Sequence, residues 1–548
     1  MAFAYTTDEE VDSAYRTLRA TFSVGKTKSI AWRKWQLKQL WWLVTDNKDR
    51  LLDALHADLN KHRYESSFTE YAAVVTDILD HLEHIDDWTA PKRPEGASFS
   101  TAYLMGATVR SEPRGLVLII GPWNFPIHLM LLPLVAAVTA GCTVLLKPSE
   151  LATATQACLA DLIPQYMDTE AIRVVTGGPT ETERLLQKQF DHIFFTGSPS
   201  IARHVSIAAA KHLTPTVLEL GGQGPSVVTA SADIDFAAKS IAATKHINAG
   251  QICLAVNHVL AHPSIADKLI ERMQFHLKDF SVDGSESMAK IINRKNFDRL
   301  KTVMDTTNGS IAYGGVTNHD TLEIQPTILT DIKPNDPSMK EEIFGPICPV
   351  LVATTEEAIQ LIKSKPHPLA IYIFSQNQKE IDHIISSTIS GGVTINDTLV
   401  HSTVPGAPFG GVGESGYGAY HGVYGFQAFS HMRNIAQPGA MLRAYFGLRF
   451  PPYSRQDPSK VEIKKRLGFK RGETIADQEV GALRALWNNS GQLFQWTIVF
   501  ATLVLADKGA GGWLGLWWLT VRVGRLARPL ILAVEVLLRR NLPGLVSS

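Results

Sequence analysis

The chain has 548 residues, which at roughly 150 residues per domain predicts three or four domains and excludes a small disulfide-stapled scaffold or a lone binding module. Fifty-three basic and fifty-three acidic residues leave a formal net charge of zero, so no overall positive charge favours nucleic acid as a partner. Hydrophobic residues make up 45% and charged residues 19% of the chain, a balance typical of a folded globular protein.

The first segment, from about residue 8 to 90, predicts helices, because apolar side chains recur at spacings of three and four residues. It contains a cluster of tryptophans, which we interpret as packing residues without a binding role: Trp32, Trp35, Trp41 and Trp42. The acidic start of the chain lacks the basic and apolar stretches of a secretory signal. We therefore expect the catalytic body to face the cytosol.

Beyond Pro94 short apolar runs alternate with helical stretches. The runs are LVLII at 116–120, TVLLK at 143–147 and HIFFT at 192–196. This alternation predicts βαβ units and a parallel sheet, and the continuous apolar character of the runs indicates a sheet that is covered on both faces. A second α/β set is predicted from about residue 225 to 395.

The last part of the chain contains three apolar segments, at 493–506, 513–521 and 529–538, each shorter than the roughly 18 to 20 residues that a spanning helix needs. Five tryptophans lie between Trp487 and Trp518, and six basic residues against two acidic ones follow residue 490. Tryptophans with cations favour membrane attachment at the headgroup level. The alternative is a C-terminal helix pair that docks on the body or on a second subunit, and whether the tail spans the membrane or lies in its interface stays open.

Two residues could carry covalent chemistry. Cys253, in Gly-Gln-Ile-Cys-Leu-Ala, is flanked by apolar residues, so alone it fits an inert core thiol as well as a nucleophile. Glu219 stands among apolar strand residues, where a carboxylate loses hydration unless it is paired, protonated or used. The Gly221-Gly222 pair that follows lets the backbone approach another group closely. A thiol that attacks and a carboxylate that activates water are the two parts of a covalent mechanism.

The segment Gly121-Pro-Trp-Asn-Phe-Pro126 follows the run LVLII directly and leads into a predicted helix. This order places the Asn124 amide at the carboxyl edge of a parallel sheet, where α/β proteins bind ligands. An amide there can donate to an oxyanion. The structural alternative is a turn with a polar cap.

Two further segments leave predicted strands in the same way. Lys147 and Glu150 offer a cation and a carboxylate to phosphate or ribose hydroxyls, although a polar-capped turn explains them equally. Gly197 and Ser198 lead into a helix predicted to begin near Pro199, so that backbone N–H groups could face a pyrophosphate. This segment is not a GxGxxG, and the chain has no Walker GxxxxGK[ST] motif, which disfavours a P-loop nucleotidase.

The four cysteines are scattered without a CxxC pair, so the sequence indicates neither a disulfide framework nor a thiolate zinc site. The histidines show no HExxH motif or paired spacing. We therefore expect no bound metal.

These segments, in this order and with thirty-four positions from Glu219 to Cys253, resemble the aldehyde dehydrogenase superfamily from about residue 8 to 435. Further matching pieces are Glu-Glu-Ile-Phe-Gly-Pro at 341–346 and the glycine-rich stretch at 401–416. The run Gly-Ala-Tyr-His-Gly that ends at Gly422, with a short N-terminal region, is similar to the class three branch. That branch includes fatty aldehyde dehydrogenases, some of which carry a hydrophobic membrane-anchoring tail.

The resemblance implies a role for each candidate. Cys253 would be the nucleophile, Glu219 the general base and Asn124 the oxyanion donor. The remaining assignments concern a dinucleotide: Lys147 and Glu150 at the adenosine ribose, Gly197 and Ser198 near the pyrophosphate, and Glu342 and Phe344 at the nicotinamide ribose and ring. After the nucleophile, Ala255-Val-Asn257 departs from the branch's usual Ala-Pro-Asp.

NAD is the expected coenzyme, because a carboxylate at position 150 near the ribose would repel a 2′-phosphate. NADP stays possible, since the branch that the chain resembles often accepts both. The resemblance also implies a homodimer.

The resemblance further implies a two-domain α/β fold with a Rossmann-like cofactor domain and an α/β catalytic domain. The expected boundaries are a cofactor-binding domain at 1–222, with 101–112 in an oligomerisation sheet, a catalytic domain at 223–398, a return and oligomerisation segment at 399–440, and an extension with the apolar tail at 441–548.

The expected activity is oxidation of long-chain or otherwise lipophilic aldehydes to carboxylic acids through a cysteine thioester, because a membrane-held enzyme meets aldehydes that partition there. Terpenoid or apocarotenoid aldehydes are the second candidate class. One rival reading releases the product to coenzyme A, against which the retained Glu219 argues. Another is a catalytically inactive, membrane-attached interaction protein built on the same fold.

Overall fold

Helices open the chain, as the apolar spacing predicts. Helix α1 begins with a capping box in which Thr7 and Glu10 satisfy each other's backbone N–H groups. The helices are α1 (Asp8–Ser23), α2 (Ile30–Asp46), α3 (Lys48–Leu59), α4 (Arg63–Ser66), α5 (Ala72–Thr89), α6 (His128–Ala140), α7 (Thr153–Tyr166), α8 (Pro179–Leu186), α9 (Pro199–Ala210), α10 (Ile234–His246), α11 (Ala266–Phe280), α12 (Arg294–Thr306), α13 (Thr355–Lys363), α14 (Gln378–Ser387), α15 (Gly422–Ala428) and α16 (Ala440–Tyr445). A π-helical turn, Ser67–Tyr71, joins α4 to α5.

The tryptophan cluster is only partly a packing cluster. Trp32 and Trp41 are half-buried against the core, whereas Trp35 and Trp42 are 54% and 40% exposed. The interpretation of all four as packing residues was therefore wrong for Trp35 and Trp42. They lie seven residues apart, which puts them on one face of α2, and that face is the solvent side.

This computed structural model describes residues 5–460 apart from 98–101, 104, 283 and 285–287, and in addition residues 471, 472, 474 and 475. The chain divides after Gly447, and the described residues before that point form one compact unit. Beyond it lie the short 3₁₀ turns Tyr453–Arg455 and Pro458–Lys460. The predicted membrane-attachment tail falls outside the described residues. Within the described part, no helix has the length and apolar character needed to cross a membrane.

The predicted strands are confirmed where the apolar runs lie, as β2 (Leu116–Ile120), β3 (Thr143–Lys147) and β5 (His192–Gly197). Every residue of β2 and β3 is buried, which confirms a sheet covered on both faces. The strands are β1 (Thr108–Pro113), β2 (Leu116–Ile120), β3 (Thr143–Lys147), β4 (Ile172–Val174), β5 (His192–Gly197), β6 (Thr216–Leu220), β7 (Pro225–Val228), β8 (His258–Ala261), β9 (Ser310–Tyr313), β10 (Thr317–Asn318), β11 (Glu323–Ile324), β12 (Thr327–Thr330), β13 (Ile347–Val352), β14 (Ala370–Phe374), β15 (Gly392–Ile395), β16 (Gly416–Tyr417) and β17 (Ser430–Ile435).

The first sheet has the order β16-β6-β5-β2-β3-β4. Strands β2 to β6 are parallel, and the sheet order reverses between β2 and β5. In such open sheets a crevice forms outside the carboxyl ends of the two strands at the reversal point. The segments that carry Asn124 and Gly197 both leave the sheet at that point.

The second sheet has the order β15-β14-β7-β8-β13-β12-β9. The strands are parallel except at one edge, where β9 runs antiparallel to β12. The first sheet likewise gains an antiparallel edge, because β16 pairs with β6. The predicted strands are parallel, as expected, and each sheet gains one antiparallel edge strand, so that both sheets are mixed. The α/β architecture with two sheets agrees with a two-domain fold.

Strands β1 and β17 form a separate two-stranded antiparallel ribbon that pairs Thr108 with Ile435. This ribbon includes part of the segment expected in an oligomerisation sheet. The domain boundaries given above remain predictions.

Candidate active site

A cleft of about 820 Å³ opens at the carboxyl edge of the first sheet, which is within the usual size of ligand sites. All nine residues singled out in the sequence line it: Asn124, Lys147, Glu150, Gly197, Ser198, Glu219, Cys253, Glu342 and Phe344. They come from segments more than two hundred positions apart. The fold therefore brings every sequence-predicted site residue into one cavity.

Strand ends explain most of this convergence. Lys147 ends β3, Gly197 ends β5, and Glu219 is the next-to-last residue of β6. Asn124 lies in the loop between β2 and α6. Since parallel strands point their carboxyl ends the same way, these side chains meet at one edge of the sheet.

Glu219 is 1% exposed and lies between Thr196 of β5 and Gly416 of β16 in the strand register. Among the described residues, no N–H or O–H group donates to its carboxylate oxygens. Burial raises the pKa of Glu219 to about 8, the Cys253 thiol opposes this by hydrogen bonding, and the negative charge of Glu342 adds to it. A carboxyl with such a pKa is suited to taking up a proton near neutral pH.

Cys253 lies in the turn that precedes β8 and is partly exposed to the cleft. Burial, followed by the charges of Glu219 and Glu342, raises the pKa of the Cys253 thiol well above its ordinary value. The resting group is therefore a neutral thiol. Its neighbour Glu219 is the group able to accept its proton, so the three acids titrate as one cluster.

The pH dependence of alkylation tests this electrostatic picture. In the protein without added ligands, the rate at which iodoacetamide alkylates Cys253 should keep rising beyond about pH 9, because only the thiolate reacts and its fraction grows about tenfold per pH unit below the pKa. A Cys253→Ala variant supplies the background from Cys142, Cys158 and Cys348, which are buried. A plateau reached by about pH 9, as expected of an unperturbed thiol with a pKa of about 8.5, would contradict the raised pKa.

Glu342 lies against the backbone of Gly221, where a Cβ atom would come within 2.3 Å of both carboxylate oxygens. A larger residue at position 221 would therefore displace the Glu342 carboxylate, so the Gly-Gly pair permits a close approach and Glu342 is the group that approaches. Burial raises the pKa of Glu342 to about 7, while the Gly222 N–H and the charges of Arg299 and Lys245 oppose the rise.

The loop that carries Glu342 and Phe344 is fixed by two side chains. The Asn257 Oδ1 atom accepts the Ile343 N–H at 2.8 Å, and Arg299 Nη2 donates to the Ile343 carbonyl at 2.7 Å. Asn257 thus supports this loop. The sequence difference at 255–257 from the branch's usual Ala-Pro-Asp did not indicate that role. Phe344 packs edge-on against Trp123, with ring centroids 5.4 Å apart.

At the other end of the cleft Lys147 and Glu150 form an ion pair with an Nζ–Oε2 distance of 2.9 Å. The Lys147 side chain is buried, and that of Glu150 is 26% exposed. The ion pair orients the Glu150 carboxylate at the wall of the cleft. This geometry suits a carboxylate that accepts hydrogen bonds from hydroxyl groups.

Between the two ends, Ser198 caps α9 by accepting the Ile201 N–H at 3.5 Å. The neighbouring Thr196 Oγ1 is buried, lines the cleft and has no hydrogen-bond partner among the described residues. A buried hydroxyl without a partner indicates a ligand group that would satisfy it. Sequence analysis missed Thr196, although it adjoins Gly197 at the end of β5.

The cleft fits a dinucleotide. It runs from a carboxylate and cation at Lys147–Glu150, past the strand-order reversal, to the Glu342 carboxylate beside Cys253. The part of the chain that the structure describes contains no group of three or more metal-ligating side chains.

Two further residues fix Asn124, one through its side-chain amide and the other through its backbone carbonyl, and sequence analysis missed both. Asn124 Nδ2 donates to the Gln251 carbonyl at 3.0 Å, and Asn248 Nδ2 donates to the Asn124 carbonyl at 2.9 Å. Asn248 has a left-handed φ of 49°. The sequence did contain one sign of this role, an asparagine just before the candidate nucleophile, because asparagine tolerates the left-handed conformation that such a turn can require.

With these residues the cleft can perform covalent catalysis. A thiol, a carboxyl of raised pKa and a fixed amide donor line one wall beside a coenzyme-sized cavity. The thiol can attack an electrophilic carbon, the amide can stabilise an oxyanion, and the carboxyl can move protons.

Comparisons with known proteins agree with this geometry. A family model described as "Aldehyde dehydrogenase family" matches residues 1–435. The chain is 42% identical to the rat (Rattus norvegicus) protein "Aldehyde dehydrogenase, dimeric NADP-preferring" over 82% of this chain and 99% of that one, and 42% identical to rat "Aldehyde dehydrogenase family 3 member A2" over 82% and 92%. The substrate-bound structure of Staphylococcus aureus AldH matches with 35% identity and a TM-score of 0.78, over 81% of this chain and 97% of that one.

Proposed function

Since the chain belongs to the aldehyde dehydrogenase family, we propose that it oxidises long-chain or otherwise lipophilic aldehydes to carboxylic acids through a thioester on Cys253. One observation supports this above the others: Cys253, Glu219 and Asn124 line the same cleft as the candidate coenzyme residues. The resemblance to the superfamily and its class three branch is confirmed, because the rat relative is named as a family 3 member. Formation of NADH by purified protein with an aldehyde tests the activity.

The first step joins the thiol to the aldehyde. Sγ of Cys253 attacks the carbonyl carbon, and the thiol proton passes to the Glu219 carboxylate as the carbon–sulfur bond forms. The carbonyl oxygen becomes an oxyanion and accepts a hydrogen bond from the second N–H of the Asn124 amide, since the first is held by the Gln251 carbonyl. One such donor contributes about a hundred to a thousandfold in rate.

The oxidation and release then follow. When bound, the coenzyme supplies an acceptor for the hydride that leaves the hemithioacetal carbon, so that a thioester remains on Cys253. Glu219, having passed its first proton to solvent, takes a proton from water whose oxygen attacks the thioester carbon. The carbon–sulfur bond breaks, the carboxylic acid leaves, and the sulfur regains a proton.

Lys147 and Glu150 would hold the adenosine ribose, with Gly197 and Ser198 near the pyrophosphate and Glu342 and Phe344 at the nicotinamide ribose and ring. We propose NAD as the preferred coenzyme, because the partly exposed Glu150 carboxylate repels a 2′-phosphate. NADP is the second candidate, as the rat relative is named NADP-preferring. The same name, which includes "dimeric", supports a homodimer of this chain.

The substrate class is argued from the C-terminal tail, which lies outside the described residues. Its tryptophans and cations suit attachment to a membrane surface. An enzyme held there, with its catalytic body in the cytosol, meets aldehydes that partition into lipid. Long-chain fatty aldehydes lead, and terpenoid or apocarotenoid aldehydes come second.

A panel of aldehydes of graded length and ring content tests this proposal. We expect kcat/KM to rise about fourfold per methylene over the middle of the series, because each buried methylene contributes about 0.8 kcal/mol. With substrates held in vesicles, a chain shortened to residues 1–484 should lose much of its activity on long aldehydes and keep it on a short, water-soluble one. A series without dependence on length would overturn the lipophilic class, and no NADH with any aldehyde would favour the interaction-protein reading.

A further inference from the structure

A buried ion pair lies behind the loop that carries Asn124. Lys61 and Glu70 are both 0% exposed, and their Nζ–Oε1 distance is 2.7 Å. The second Glu70 oxygen accepts the N–H groups of Ile127 at 2.9 Å and His128 at 3.3 Å. Both carboxylate oxygens are therefore used, one by a cation and the other by the backbone just beyond Asn124.

The cation also touches this loop. Lys61 Nζ lies over the ring of Phe125, 4.2 Å from its centroid, in the range of a cation–π contact. The pair thus contacts the residue after Asn124 and the start of α6. Replacing a buried ion pair by apolar groups is often neutral or stabilising, so stability alone is a poor reason for placing one here.

Glu70 occupies an irregular backbone position. It lies in the π-helical turn Ser67–Tyr71 between α4 and α5. Such turns are rare, are less stable than regular helix, and are frequent at functional sites. The extra residue of this turn changes the direction of the side chains that follow α4, and Glu70 reaches the backbone of the Asn124 loop from there.

The same segment also reaches the turn before the nucleophile. Glu65 Oε1 accepts the Asn248 N–H at 3.0 Å, and Asn248 Nδ2 donates to the Asn124 carbonyl at 2.9 Å. Residues 61–70 therefore contact both sides of the active site, the loop with the amide donor and the turn leading to Cys253. The relative position of these two groups decides where the oxyanion forms.

We propose that Lys61 and Glu70 are positioning residues that set the Asn124 amide against Cys253. This inference rests on the proposed function, in which Asn124 stabilises the oxyanion. A displacement of about 1 Å between reacting groups can cost about a hundredfold in rate. Loosening the pair should therefore reduce oxyanion stabilisation while leaving the thiol and the coenzyme contacts in place.

The test removes both charges together, since removal of one leaves its partner buried and unpaired. The variant with Lys61→Met and Glu70→Met also removes the acceptor for Ile127 and His128, whereas Lys61→Met with Glu70→Gln keeps an acceptor oxygen. We expect the first to lower kcat/KM about a hundredfold and the second to recover most of that loss. Alkylation of Cys253 by iodoacetamide and binding of the coenzyme should match the unmodified enzyme in both.

Asn124→Ala supplies the decisive background. By itself it should lower kcat/KM about a hundred to a thousandfold. Adding the two methionines to it should cost less than about threefold more, because residues that act through one group are not additive. If the double methionine variant does not fold, Glu70→Asp replaces it, because aspartate keeps the charge but is shorter by one methylene and withdraws the acceptor oxygens. Glu70→Asp should lower kcat/KM in the otherwise unmodified enzyme and have little further effect on kcat/KM in the Asn124→Ala background.

A matched control exists on the opposite edge of the first sheet. Arg19 pairs with Asp191, whose carboxylate accepts the Leu116 N–H at the start of β2. Arg19→Met with Asp191→Leu removes a cation, a carboxylate and a backbone acceptor away from the site and should leave kcat/KM within about threefold.

The positioning role would be overturned if the Lys61 and Glu70 changes lowered kcat/KM by the same factor with Asn124 present and with Asn124→Ala. It would also be overturned if they did not lower kcat/KM at all. If Asn124→Ala itself kept full activity, the oxyanion assignment in the proposed function would fail first, and this result is distinguishable from the others.

Discussion

Replacing Cys253 by alanine is expected to abolish aldehyde oxidation, with a loss of at least about ten thousandfold in kcat, because no other group can form the thioester. Cys253 is the only one of the four cysteines that is partly exposed, and it lines the cleft. The measurement is NADH formation with an aldehyde that the unmodified enzyme oxidises well. Coenzyme binding, followed by fluorescence, should persist in the variant.

The natural control for this variant is Cys158→Ala. Cys158 is buried within α7, so its replacement removes a core thiol of the same size and should keep kcat within about threefold. A Cys253→Ala protein that still turns over at the rate of this control would remove the nucleophile from the scheme. The thioester would then have to be abandoned with it.

Glu219→Gln carries the second largest expected effect. Glutamine keeps the size of the side chain but cannot take a proton from water, so acid release should slow by about a hundred to ten thousandfold. Solvent can take the thiol proton of Cys253 when Glu219 is absent, and hydride transfer itself involves no proton on this group, so formation of the thioester should slow much less than its hydrolysis. Rapid mixing should therefore show a burst of NADH that is followed by slow turnover, with the thioester accumulating on Cys253.

The pH dependence of acid release identifies the same group. A base works only when it is deprotonated, and the pKa of Glu219 is raised to about 8. Acid release by the unmodified enzyme should therefore rise with pH through about 8 and fall away below it, and the Glu219→Gln variant should lack this limb. Glu183→Gln, which changes an exposed carboxyl at the rim of the same cleft, should keep the limb. Normal steady-state turnover by Glu219→Gln would exclude it as the base.

The apolar runs in the sequence were enough to predict the central strands of the first sheet and the edge at which the site lies. The runs that became β2, β3 and β5 are continuous apolar segments, and the residues at their ends are polar, so both the sheet and its functional edge could be inferred. The pairing of Cys253 with Glu219 needed the family resemblance as well, because a cysteine between apolar residues has no chemical mark of its own.

Contacts between residues that are far apart in the sequence could not be predicted from such runs. Glu70 binds the backbone of Ile127, fifty-seven positions away, and no periodicity links them. Strand β16 has two residues, Gly416 and Tyr417, too few for an apolar run, so the mixed character of the first sheet could not be predicted. Trp35 and Trp42 were misjudged because a large aromatic side chain is usually buried, whereas these two are 54% and 40% exposed.

The return of the chain to pair β16 with β6 links Glu219, the proposed base, to a segment synthesised almost two hundred positions later. A nascent chain of which only the first half has been synthesised would expose β6 as an unpaired edge strand, with the Glu219 carboxyl beside it. An unpaired edge strand of this kind can pair with other nascent chains until β16 has been synthesised and covers it.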